Sequence, residues 1–183
     1  MKRSNRAFTF VVIAGLAGSA FLQSKPGTEA RPANQVLEDL IKSSEKELTG
    51  VAETMPEEGY DFAPTNGNFR GVRNFAKQVK HAAAVHHLIA ATILGEPISA
   101  DLANESGPDA LKAKAEVVTY LKDSFAHLHR AAATINGTNA FGSVGPNGQT
   151  RMGLLVTALT HSSNHYGQLV EYLRMNGLAP PQS

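Results

Sequence analysis

The sequence contains no cysteine. That absence excludes disulfides, zinc–thiolate sites, iron–sulfur clusters and thiol nucleophiles together, and it excludes a lipid-anchored cysteine after the leader. An excess of one charge is missing too: 17 Lys+Arg stand against 16 Asp+Glu, for a net charge of +1. A nucleic-acid partner is therefore not expected, because that binding needs a basic face to displace counterions. Sustained period-two alternation is also lacking, and strand-forming residues do not cluster between turn signals. No internal repeat is visible, which argues against a solenoid.

At 183 residues, the chain has the length of one domain with a short appendage. Its first residues, MKRSNRAFTFVVIAGLAGSAFLQS, open on Lys2, Arg3 and Arg6 and continue through an apolar stretch from Ala7 to Leu22. Small residues at Gly18 and Ala20 suit a cleavage site, so residues 1–24 are expected to be a signal peptide and the mature protein to be exported. The alternative is an N-terminal membrane anchor, but the apolar run is short for a span of roughly 20 residues. Residues 25–33, rich in Pro, Gly and Glu, hold too few apolar groups to pack and are expected to form a flexible tether.

Residues 34–183 carry four helical patterns. Leu37, Leu40, Ile41, Leu48, Val51 and Met55 recur at helical spacing in the first. A second pattern runs from about 69 to 94, with Val72, Phe75, Val79, Ala82, His86, Ile89 and Ile93 in one register. The third, from about 108 to 135, aligns Leu111, Val118, Leu121, Phe125, Leu128 and Ala132. The fourth, from about 149 to 175, stops at Asn176-Gly177, a favourable helix end. Four long helices with one apolar stripe each bury those stripes against one another. The expected fold is all-α, an antiparallel four-helix bundle.

Without cysteine, any metal must be held by histidine, carboxylate or water, and seven histidines are present. His161 and His165 lie one turn apart on the fourth helix, about 40° of rotation from each other, so two imidazoles can reach one ion. Leu154 and Ala158 precede the pair on nearly the same line, and Gln168 and Tyr172 follow it. The main stripe, Leu155, Leu159, Leu169 and Leu173, lies roughly 100° away, so the pair borders the core. A zinc protease would carry glutamate after the first histidine; Ser162, Ser163 and Asn164 stand between them here.

A third ligand has two candidates. His81 lies at the edge of the second helix's stripe, and His86 lies within its core register, where a hydrogen-bonded core histidine is the ordinary outcome. Spacing does not choose between them. His87 points to the Lys77 and Lys80 side and is expected to face solvent. His127 and His129, two apart, cannot share a helix face, and both read as interhelical or surface residues. No general base stands out. Glu171 is about 80° from the His161 direction, Tyr166 follows the apolar stripe, and Tyr172, though aligned with the pair, is nearly three turns away.

Three stretches resemble the DinB/YfiT-like family of bacterial four-helix proteins, which are regarded as metalloenzymes. MPEEGYDFAPT (Met55 to Thr65) is similar to that family's link between its first two helices, and FRGVRNFAKQVKHAAAV is similar to its second helix. HSSNHYGQLVEYLRMNGLAPP resembles its closing helix, with paired histidines, Gly-Gln and an Asn-Gly end before prolines. The resemblance implies a three-histidine metal site of His81, His161 and His165. It implies one divalent transition metal, zinc, nickel or iron, among which three imidazoles do not choose. Water would fill the open positions, as in catalytic sites, and hydrolysis or group transfer on a small-molecule substrate would follow. Some relatives are transferases or isomerases dependent on cytosolic thiols, a cosubstrate that an exported chain would lack. The resemblance also allows a homodimer, and it leaves a metal-binding but non-catalytic or structural bundle as the alternative.

Overall fold

The computed structural model describes residues 30–145 and 147–181. The expected signal segment 1–24 and residues 25–29 of the tether lie outside them. Within the described residues the chain is helical and carries no β-strand, only an isolated bridge between Ser143 and Thr150. Four long helices, α1 (Ala33–Thr54), α2 (Phe75–Leu94), α4 (Lys114–Ala133) and α5 (Arg151–Met175), pack as a bundle. A short helix α3 (Ala100–Ala103) lies between α2 and α4 in sequence and packs on α2. None of the described helices is long and apolar enough to cross a membrane.

The helices pack in a ring in the order α1, α4, α2, α5, so chain neighbours α1 and α2 sit on a diagonal. Side-chain pairs fix the directions. On α1 and α4, Glu38 meets His129 while Glu53 meets Lys122, so these two helices are antiparallel. On α2 and α5, Gln78 meets Gln168 and His86 meets Ser162, again antiparallel. Helices α2 and α4 run the same way: Lys80 bonds the chain just before α4, and Glu96, just past α2, meets His127 and Arg130. Hence α1 and α5 also run the same way. Two antiparallel pairs lie side by side, and the segment between α2 and α4 must return along the whole bundle. That crossover, residues 95–113, shapes the site described below.

Local chemistry sets the boundaries. The second helix starts at Phe75, not near 69, because Asn74 caps it: its Oδ1 accepts the Lys77 N–H at 2.9 Å. Val72 therefore belongs to a loop and is exposed. Gly95, at φ 71°, closes α2 in the left-handed conformation glycine tolerates. Helix α4 starts at Lys114, later than the pattern suggested. The Glu116 carboxylate draws in the N–H groups of Lys112 and Ala113 at 2.9 and 3.0 Å, satisfying the helix start there. Thr150 caps α5 through the Gly153 N–H. Leu40 is exposed although it matched the α1 stripe; Leu37, Ile41, Leu48 and Val51 carry that face. The core between the helices is filled by Phe75, Phe125, Leu121, Leu128, Leu155 and Leu169, all nearly inaccessible. Burying each such side chain contributes about 1.5–3 kcal/mol, enough in aggregate to hold polar groups in place at the α2–α5 seam.

Candidate metal centre

Helices α2 and α5 meet at a seam where three imidazoles converge. His161 Nε2 lies 3.0 Å from His165 Nε2 and 3.2 Å from His81 Nε2. One ring nitrogen from each residue falls within 4.8 Å of the other two. The rings stand edge to face, with centroids 4.2 to 4.9 Å apart. Helical geometry supplies two of the three, one turn apart on α5, and the antiparallel neighbour supplies the third.

The back of each ring is treated differently. His81 Nδ1 lies 2.6 Å from the backbone carbonyl of Glu105, in the crossover between α2 and α4. A carbonyl only accepts, so His81 Nδ1–H donates and its Nε2 is left with a free lone pair facing the other two rings. His165 Nδ1 sits among amides, 2.8 Å from Gln78 Nε2 and 3.2 Å from Gln168 Oε1. The same two glutamines bond each other, and Gln168 also donates to Asn164 Oδ1. Gln78 Nε2 can only donate, so in this arrangement His165 Nδ1 accepts from it; a lone pair on His165 Nε2 requires the tautomer in which Nδ1–H donates to the Gln168 oxygen. Both back-side contacts are of the kind that orient histidine ligands. The Nδ1 of His161 is buried with no partner, and its Nε2 meets only the other imidazoles.

Burial keeps the His161 and His165 rings neutral. Burial first, and then the neighbouring His165, His81 and Arg73, lower the His161 pKa to about 4. His165 is held at about 4 for the same leading reason, with His81 and Arg73 adding and Gln168 opposing. Neutral imidazole is the ligating form, so near pH 7 no proton needs to be displaced from these two before a cation enters. Metal–nitrogen bonds of about 2.0–2.1 Å span nitrogen separations of about 2.9–3.4 Å in octahedral or tetrahedral arrangement. The observed 3.0 and 3.2 Å fall inside that range. Three imidazole nitrogens facing one point, on two buried residues and one half-buried, have only one another as partners. The three histidines could hold a metal ion.

The remaining histidines are accounted for elsewhere. His86, fully buried, is bonded by Ser124 Oγ at 3.1 Å and Ser162 Oγ at 2.6 Å and packs on Phe125. It is a core histidine, and burial lowers its pKa to about 3. His87 does not face solvent as expected: it is half-buried between α2 and α4, against Tyr120 and 3.0 Å from His127 Nδ1. The parallel packing of α4 along α2 covers that side. His127 reaches Glu96, and His129 bridges Glu38 and Glu45 across the α1–α4 seam. Tyr172 donates its hydroxyl to the Arg73 carbonyl and packs edge-on to Phe62, which fixes it as a packing residue.

Sequence reading did not find Gln78 or Glu105 as partners of the histidines. Gln78 had a signal, since it lies three residues before His81 and so on the same face of α2. Glu105 had none: it contributes a backbone carbonyl from a crossover whose path only the tertiary structure defines.

Two cavities flank the trio along the seam. One, of about 480 Å³, includes His165, Gln78 and Gln168 with Phe69, Arg73 and Tyr172. The other, of about 520 Å³, is lined by Val85, Leu88, Leu154, Thr157, Ile98 and Glu105 among others. Both have the dimensions of small-molecule sites.

An all-α bundle with three histidines gathered between two antiparallel helices defines a class of candidate metal-binding helical proteins. Residues 40–169 match the model of the DinB superfamily, and the chain belongs to that superfamily. Among solved structures it is similar to a conserved protein from Enterococcus faecalis, with a TM-score of 0.64 and 15% identity over 80% of this chain and 98% of that one. At that identity the likeness shows a shared fold. No curated protein matches the sequence.

Proposed function

We propose that this protein is an exported metalloenzyme of the DinB type that binds one divalent transition metal through His81, His161 and His165 and carries out hydrolysis or group transfer on a small molecule. The observation that carries the reading is the convergence of three Nε2 atoms, two of whose rings are oriented from behind. A bound divalent cation would supply Lewis acidity at that point. The chain's own part is definable. Glu105 holds the proton of His81 on Nδ1, Gln78 and Gln168 orient the His165 ring, and the apolar walls beside the trio limit water around a bound molecule.

Export is part of the proposal and rests on the cationic, then apolar, residues 1–24. Amino-terminal sequencing of the protein recovered outside the cytoplasm tests it: a start near residue 25 supports it, and retention of Met1 in the cytoplasm refutes it.

The experiment for the centre is metal analysis of protein prepared without a histidine tag. About one equivalent of metal, lost in His161→Ala, supports the proposal; a trace content unchanged by the substitution removes it. A second reading, metal sequestration without turnover, is favoured by one observation: among the described residues no carboxylate hydrogen-bonds any of the three rings. Metal-dependent turnover of any hydrolytic or transfer substrate, abolished by His165→Ala, decides against it.

A further inference from the structure

The cavity beside His165 has a polarity that the metal reading leaves unused. Phe69, Val72, Tyr172 and Met175 give it apolar walls, and Arg73 is its one cationic lining residue. Arg73 lies in the loop just ahead of α2, its backbone carbonyl tied to the Tyr172 hydroxyl at 2.9 Å, so the root of the side chain is anchored. The guanidinium forms no ion pair among the described residues. Glu171, which also lines the cavity, is engaged by Arg174 at 2.6 Å.

The three imidazoles are neutral donors, so a divalent ion among them keeps its full charge. Arg73 and His165 line the same cavity. Arg73, itself exposed, and a cation held by His165 would then both border one partly apolar cavity whose only acidic lining residue is already paired. Such a site is completed by an anion that arrives with its ligand. Guanidinium presents a planar fork suited to a carboxylate, and the bond is charge-assisted.

We propose that Arg73 is a specificity-determining residue that selects small molecules bearing a carboxylate on an apolar body, the body seated against Phe69, Val72, Tyr172 and Met175 and the carboxylate on the guanidinium. The inference rests on the metal reading for its chemistry, but the recognition by Arg73 is separable from it.

The test uses the protein both metal-free and loaded with Co²⁺, titrated by calorimetry with 3-phenylpropionate and with its neutral counterpart 3-phenylpropan-1-ol. Co²⁺ binding is followed separately by visible absorption. The acid is expected to bind about tenfold or more tightly than the alcohol, the scale of a charge-assisted hydrogen bond. Arg73→Gln should abolish that preference while leaving the Co²⁺ stoichiometry at about one equivalent, and Arg73→Lys should restore part of the preference, since charge returns without the fork. Equal binding of acid and alcohol, a preference that survives Arg73→Gln, or no binding of the acid at millimolar concentration would each overturn the inference. Failure of the metal reading is a different result, the absence of a stoichiometric Co²⁺ spectrum. In that event the metal-free titrations still decide the role of Arg73.

Discussion

His81 donates through Nδ1 to the carbonyl of Glu105 at 2.6 Å, and Glu105 is held at φ 52°, in the left-handed region that side-chain-bearing residues rarely enter. Among the described residues it is the one non-glycine with positive φ. The crossover between α2 and α4 is moulded to α2 at this point. Lys80, buried beside His81, reaches the carbonyls of Pro108 and Leu111 at 2.9 and 3.2 Å. Unfavourable backbone at a site of this kind persists when its surroundings over-determine it, and here α3 packs on α2 before residue 105 while Lys80 holds the chain after it.

Gly107 should not accept a side chain. It has φ 68°, and a Cβ there would stand 3.0 Å from Lys80 Cβ and 3.1 Å from the Lys80 carbonyl oxygen. Gly107→Ala is expected to destabilise the protein by about 2 kcal/mol, from backbone strain together with overpacking. Urea unfolding measures it. A change below a few tenths of a kcal/mol would mean the crossover is not pressed against α2.

His86→Ala and His81→Ala should separate stability from metal binding. Removing His86 opens a core cavity and takes one partner from each of the hydroxyls of Ser124 and Ser162, which keep the carbonyls of Leu121 and Ala158, a loss of about 3 kcal/mol. Metal content of the folded fraction should be unchanged. His81→Ala should do the reverse, with a modest effect on stability and a metal affinity reduced a hundredfold or more, an order-of-magnitude expectation for a lost ligand. Thermal melts paired with chelator competition read both quantities.

Adding Zn²⁺ or Co²⁺ at about 100 times its dissociation constant should stabilise the wild-type protein by about 2.7 kcal/mol, because only the folded state gathers the ligands. Calorimetric melts with and without metal test this. The shift should vanish in His165→Ala, and a wild-type melting temperature indifferent to metal and chelator would contradict the proposed centre.

Acid should weaken the metal-free fold in a defined window. Burial holds His86 at about 3 and His87 at about 4, against an unfolded value near 6.5. Between those values the unfolded chain binds more protons than the native one, so stability rises with pH. The contribution is fully present above about pH 6.5 and is lost as pH falls towards 4 and below. His161 and His165 act in the same direction. Urea midpoints from pH 8 to pH 4 should be level at first and then fall. His86→Leu, though less stable overall, should show a shallower fall.

The all-α class, the four helical segments and the pairing of His161 with His165 were legible in the amino-acid sequence, because each is a local property. Apolar spacing at 3.6 residues, helix-ending Gly and Pro, and a separation of four on one helix need no knowledge of the rest of the chain. Capping errors were local as well: Asn74 and Glu116 moved two helix starts inward by satisfying backbone N–H groups. Beyond that reach lay everything that depends on which helix lies beside which. Spacing alone left His81 and His86 equivalent; the antiparallel contact of α2 with α5 turned His81 towards His161 and gave His86 to two serines. The burial of His87 by α4 and the service of Glu105 through its carbonyl followed from the long return between α2 and α4. Helix periodicity records the direction a side chain leaves its own axis, whereas a site on a seam is decided by the neighbour it meets there.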